Sequence, residues 1–130
     1  MKRLFFLLAL AFLFTAPAFA AEPATASVCE QITLAEGASY TGAAIDVSRA
    51  EGWFIVSIKQ TGFGPVDISY QLSVNGIDWA APVGAEGILN DVGAGFSMAG
   101  FDPVYAPWLR IIVSNTGSAE VIATVRVAYR

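Results

Sequence analysis

The side chains with the most chemistry to offer are Trp53, Trp79, Trp108 and one mid-strand arginine, Arg110. An indole is large and flat, and it is costly to leave in water. Two of them on one solvent-facing sheet would make a platform for stacking a sugar ring. Trp53 falls on the face opposite Phe54, and Trp108 on the face opposite Leu109, so one or both are expected outside the main core. Trp79 ends a predicted hairpin and is expected to cap the core. Arg110 sits among apolar neighbours, within reach of a tryptophan face or of Glu120 across a strand diagonal. Trp53, Trp108 and Arg110 are therefore the candidate ligand-binding residues. The plainer alternative is edge packing for the indoles and a structural contact for the arginine.

Asp78, Glu86, Asn90, Asp91 and Asp102 gather in the irregular middle of the chain. Loop oxygens are what calcium takes, but no D-x-D-x-D spacing occurs, so a solvated loop face is expected and no metal site is assigned. A carboxylate pair for glycoside hydrolysis needs a set separation across a cleft, and none is expected on so small a sandwich. The chain has no histidine, which removes the commonest general base and the commonest metal ligand. Ser-His-Asp and Cys-His catalysis within the chain are thereby excluded. No catalytic residue and no cofactor are predicted.

The single cysteine, Cys29, cannot form an internal disulfide. A free thiol packed as a small hydrophobe is expected; an intermolecular bond and a lipid anchor are the alternatives. Ser27-Val28 is a poor lipoprotein context, because a small residue belongs immediately before a modified Cys.

Residues 1–20 read as a secretory signal peptide: Lys2 and Arg3, an apolar run over Leu4–Phe14, and Ala18-Phe19-Ala20 as the cleavage signal. Cleavage near Ala20-Ala21 predicts a secreted or periplasmic protein with no membrane span afterwards. Removing 20 of the 130 residues leaves 110, enough for one domain and one core. That remainder carries 5 basic against 11 acidic residues, and the basic patch of a nucleic-acid binder is missing.

The elements that must position these side chains all look like strands. Val66, Ile68, Tyr70, Leu72 and Val74 alternate with Asp67, Ser69, Gln71 and Ser73, the period-2 pattern of a half-buried strand. Asn75-Gly76 suits a two-residue type I′ turn, pairing Val74 with Ile77, Ser73 with Asp78 and Leu72 with Trp79. Before this come a flexible leader over Ala21–Ser27, a strand over Val28–Leu34 and a strand over Tyr40–Val47. A strand dense in β-formers follows at Trp53–Thr61, expected to pair with the next one across Gly62–Pro65. Shorter strands are expected at Gly87–Asn90 and Gly95–Phe101, the latter with Phe96 and Met98 on one face. Trp108–Ser114 and Ala119–Tyr129 read as a final hairpin around Asn115-Thr116-Gly117, with Val113 facing Ala119, Ile111 facing Val121 and Leu109 facing Ala123. Seven or eight short strands and no helical periodicity predict an all-β fold: a single antiparallel, jelly-roll-like β-sandwich over residues 28–130.

The run Ser73-Val74-Asn75-Gly76-Ile77-Asp78-Trp79, followed by Phe101, Pro103, Ala106 and Trp108-Leu109-Arg110-Ile111, carries a resemblance. It resembles the hairpin and following strand of jelly-roll modules, among them discoidin-like binding domains and short β-sandwich domains of phage virion and bacterial surface proteins. The resemblance covers roughly Gly52 to Arg130, without the terminal cysteine pair of a discoidin domain. It implies a jelly-roll fold and a non-catalytic role. The alternation of Val121, Ala123, Val125 and Val127 ahead of Tyr129 is also similar to the last strand of chaperone-usher pilus subunits; a core strand alternates the same way. The expectation is thus a secreted, non-enzymatic structural or adhesive module at the bacterial surface or in the periplasm. Its partner would be a glycan, another surface protein or a second copy. The alternatives are a carbohydrate-binding module using exposed tryptophans and a fibre subunit assembled by edge-strand pairing.

Overall fold

A computed structural model describes residues 22–83, 87–103 and 106–130. The expected signal peptide and Glu86 lie outside the described residues. Every element among the described residues is a strand: β1 (Ala24–Leu34), β2 (Ser39–Thr41), β3 (Ile45–Asp46), β4 (Phe54–Gly62), β5 (Val66–Ser73), β6 (Leu89–Val92), β7 (Gly95–Phe101), β8 (Trp108–Asn115) and β9 (Val121–Tyr129). One sheet has the order β1-β9-β4-β7, the other β2-β8-β5-β6, with β3 sharing the β8 edge with β2. All pairings are antiparallel. This interleaved order, in which first and last strands pair, is that of a jelly roll. No helix among the described residues is long and apolar enough to cross a membrane.

The period-2 pattern decides which side chains enter the core. Phe54, Val56 and Ile58 of β4 and Val121, Ala123, Val125 and Val127 of β9 point inward from the first sheet. Val66 and Ile68 of β5 and Leu109, Ile111 and Val113 of β8 point inward from the second. Each fully buried aliphatic side chain contributes about 1.5–3 kcal/mol by leaving water. Aromatic rings close one end of this core: Phe54 stacks on Tyr129 at 5.7 Å, and Phe101 lies 5.3 Å from Tyr70.

The faces follow the sequence; the pairings do not. β4 and β5 do not pair across Gly62–Pro65, and β8 and β9 do not form a hairpin. Each connection instead arches from one sheet to the other. Ile111 and Val121 thus lie in facing sheets, not side by side. Two buried amides hold the arches. Asn115 Nδ2 shares its two hydrogens among the carbonyls of Leu34, Ala35 and Ala119, at 2.8–3.1 Å, and its Oδ1 accepts the Gly117 N–H at 3.0 Å. Gln60 Nε2 donates to Gly64 O at 3.1 Å and Val92 O at 2.7 Å. These contacts replace the two hairpins that the turn residues alone would predict.

Strand bounds also differ from expectation: the strand expected at Gly87–Asn90 runs over Leu89–Val92. β1 begins at Ala24, so Ala24–Ser27 of the expected leader are paired, with Tyr129 through Arg126. It then bulges between Ser27 and Ile32, placing Val28 and Cys29 both in the core and turning Glu30 outward to Arg126 at 2.9 Å. The expected strand over Tyr40–Val47 is broken into β2 and β3 at Gly42. The backbone passes so close to β1 there that a Cβ on Gly42 would sit 2.7 Å from Val28 Cγ1.

Candidate functional site

The outer face of the second sheet carries the polar set of the β5 alternation. Gln71 stands opposite Arg110, and Ser73 opposite Trp108. Arg110 donates from Nε to Gln71 Oε1 at 2.8 Å, and its Nη2 donates to the same oxygen. This fixes the guanidinium plane. The free face of that plane is not left bare, because Arg110 Cζ lies 4.5 Å from the centre of the Trp79 ring. Glu120, the other expected partner of Arg110, belongs to the connection into β9 of the other sheet.

The loop that delivers Trp79 is not a two-residue turn. Leu72 and Ala80 exchange backbone hydrogen bonds at 2.9 and 3.1 Å, so the loop runs from the end of β5 at Ser73 through Trp79. A type I′ turn needs positive φ at both central residues. Gly76 has it, at +73°, and Asn75 does not. Side-chain chemistry takes over instead. Ser73 Oγ accepts the Gly76 N–H at 2.9 Å, and Asn75 Oδ1 accepts the N–H groups of Ile77 and Asp78 at 2.9 Å each. Asn75 Nδ2 then donates to Asp78 Oδ2 at 2.8 Å. Such local side-chain turns are what Ser and Asn offer in place of a strand ladder. Val74 and Ile77, expected to pair, are both exposed.

The loop folds back over Trp108. A Cβ on Gly76 would lie 3.6 Å from the Trp108 indole, so the glycine backbone covers part of that ring. Trp108, Arg110 and Trp79 are all half-buried on this one face. Trp79 is thus a surface residue of the cluster, not a core cap. Its signal in the sequence was Ser73-x-Asn75-x-x-Asp78, which closes a longer loop and moves Trp79 from the partner of Leu72 to the neighbour of Ser73.

The structure does not bring Trp53 to this cluster. It precedes β4 in phase with Ile55 and Ser57, on the outward side of the first sheet, and is 42% exposed. Its carbonyl accepts the Arg130 N–H at 3.2 Å. The predicted three-residue site therefore divides: Trp108 and Arg110 on one side of the sandwich, Trp53 on the other.

A cleft of about 540 Å³ opens at the end of the sandwich where Ser48–Gly52 faces Asp102, Pro103, Ala106 and Pro107. No cleft was expected there. Glu51 and Asp102 line it, with Phe54 among the lining residues. Asp91 and Asp102 do not join a metal-binding set: among the described residues no group of three or more His, Cys, Asp or Glu side chains is placed to hold an ion. Asp91 is instead held by its N–H on Asp67 Oδ1 at 2.8 Å. Cys29 is a buried free thiol, and burial raises its pKa.

No family model matches the chain, and no curated protein does. Solved structures do. One is a structure of infectious bursal disease virus, Gx strain, at 16% identity and a TM-score of 0.45, covering 83% of this chain and 31% of that one. This chain spans about a third of the viral protein it matches. Another is the Aeromonas hydrophila protein PliG, a periplasmic inhibitor of g-type lysozyme, at 14% identity and a TM-score of 0.43, covering 85% of this chain and 88% of that one.

Proposed function

We propose that the mature chain is a secreted, non-enzymatic β-sandwich that works as an adhesive module at the bacterial surface or in the periplasm. The observation that carries this reading is the Trp79–Arg110–Trp108 face. Trp and Arg dominate the energetics of binding surfaces, and here a guanidinium is braced between Gln71 and an indole on a rigid sheet. Such a surface meets a partner without first ordering its side chains, so little of the contact energy is lost on binding. The absence of histidine supports the non-enzymatic part. The test is retention of the purified mature protein on intact bacterial cells and on extracellular material. Arg110→Gln and Trp108→Ala should each lower retention by about tenfold while Trp53→Ala leaves it within about twofold, as expected when the anchors lie on one face. Retention unchanged by both variants of the second-sheet face would sink the proposal.

A second reading is a carbohydrate-binding module. It rests on Trp53, which is more exposed than the other indoles and has no arginine over it. Glycan-array binding lost in Trp53→Ala and kept in Arg110→Gln would select this reading; a blank array would reject it.

A further inference from the structure

The first sheet ends on β7, and among the described residues this edge lacks the usual protection. Sheet edges are blunted by charge, proline, bulges or brevity. β1 has two register shifts and carries Glu30 and Gln31. β6 has four residues, among them Asn90 and Asp91. β2 and β3 are three and two residues long. β7 is seven residues, Gly-Phe-Ser-Met-Ala-Gly-Phe, with an unbroken register against β4 from Phe54↔Phe101 to Gln60↔Gly95. It contains no charge and no proline, and its outward side chains, Phe96 and Met98, are 62% and 58% exposed.

Its order of residues is complementary to itself. Antiparallel pairing of two copies about a two-fold axis through Met98 sets Phe96 opposite Gly100, Ser97 opposite Ala99, and Gly95 opposite Phe101. Phe96 meets Gly100 of the other copy on the outward face, the arrangement in which an aromatic ring covers exposed backbone; Phe101 faces inward, packed against Phe54 and Tyr70 of its own chain. The fold of the single chain does not require Gly100. Its φ is not positive, and an added Cβ would meet only Phe54 O, at 3.7 Å, an ordinary contact. Ile55 stands beside Gly100 in the register, so the incoming Phe96 also gains an apolar neighbour. The pairing joins residues of like parity, so outward N–H and C=O groups of one copy meet those of the other. With no charge on the strand, two copies of this net-acidic protein bring no like charges together across the ladder.

We infer that β7 is a self-association edge: two copies of this chain join through it as a closed, two-fold antiparallel dimer centred on Met98. The contact is isologous and leaves no β7 edge open, so it ends at two copies. The interface does not depend on the ligand reading. It adds to it, because a two-fold axis perpendicular to the joined sheet turns both Trp79–Arg110 faces to the same side, as avidity requires.

Cysteine cross-linking of the secreted protein tests the register. Paired Cα atoms in an antiparallel ladder are about 4.5–5.5 Å apart, within disulfide reach. Met98→Cys should therefore oxidise to a covalent dimer. Phe96→Cys alone should not, because the two copies of residue 96 are four positions apart on the ladder. Phe96→Cys with Gly100→Cys should. Sedimentation gives the independent measurement. Gly100→Phe should weaken the dimer at least about tenfold by setting ring against ring, and adding Phe96→Gly to it should restore the affinity. A wild-type protein that sediments as a monomer at millimolar concentration, or a Phe96→Cys variant that cross-links as readily as Met98→Cys, would overturn the inference.

Discussion

Single side chains carry unusual structural weight in this sandwich, because no hairpin ladder links β4 to β5 or β8 to β9. Asn115 is the strongest case. It is 1% exposed and ties Leu34, Ala35 and Ala119 with one amide. Removing it takes the amide donor from the Leu34 and Ala119 carbonyls, costing about 1–3 kcal/mol for each left unpaired, while Ala35 O keeps the Ala38 N–H at 3.1 Å. Asn115→Ala should lower unfolding free energy by roughly 2–4 kcal/mol, measured by urea titration; a loss below about 1 kcal/mol would mean that water satisfies those carbonyls. Asn115→Asp should be little better, since a carboxylate offers no N–H. Cys29 gives a second prediction. Burial raises its thiol pKa, and Sγ rests 3.8 Å from Ala123 O. Thiol reagents should therefore react with the native protein at least about 100-fold more slowly than with the denatured one, through opening of β1. Equal rates would show that β1 is not held as a core strand.

Elements show where local chemistry and tertiary packing each decide. The Glu30–Arg126 pair fastens the bulge of β1 to β9. Hydrogen bonds from Arg126 and Ser27 hold the Glu30 carboxyl below its ordinary range. A carboxyl depressed in the folded state adds stability that is present above its ordinary pKa and is lost as pH falls through the lowered value. The pair is exposed, so its effect is small. Thermal melting between pH 6 and pH 2 should fall less steeply for Glu30→Gln than for wild type, with near-equal melting once the carboxyl is protonated; parallel curves would count against the contact. The faces of β4, β7, β8 and β9 were legible because burial enforces period 2 on each strand separately. Their partners were not. Gly62–Pro65 and Asn115–Gly117 have residues that suit a hairpin or an arch equally, and only the packing of two apolar faces against each other selects the arch. The candidate site divided for the same reason. The period-2 pattern sets Trp53 on the face opposite Phe54 and Trp108 on the face opposite Leu109, and it does not say that those faces belong to different sheets.

At the scale of the whole molecule, the arches make the two sheets inseparable. Leu109, Ile111 and Val113 have their apolar partners in the first sheet, and Val121 through Val127 have theirs in the second. Neither layer has another surface to bury against, so neither is stable alone. The chain must also bring Ala24 to Tyr129 before its first and last strands pair. Ladders between such distant residues make folding slow, in the range of milliseconds to seconds, for a domain of this size. The tryptophans offer reporters on the two layers. A variant keeping only Trp53 reads the first sheet, and one keeping only Trp108 reads the second, the removed indoles being replaced by Phe. If the layers form together, both variants should give one refolding phase with the same rate, and equilibrium transitions that superimpose on far-ultraviolet circular dichroism. A second-sheet signal that melts before the first would instead mark β2, β3 and β6, the short strands at its edges, as an independently opening unit.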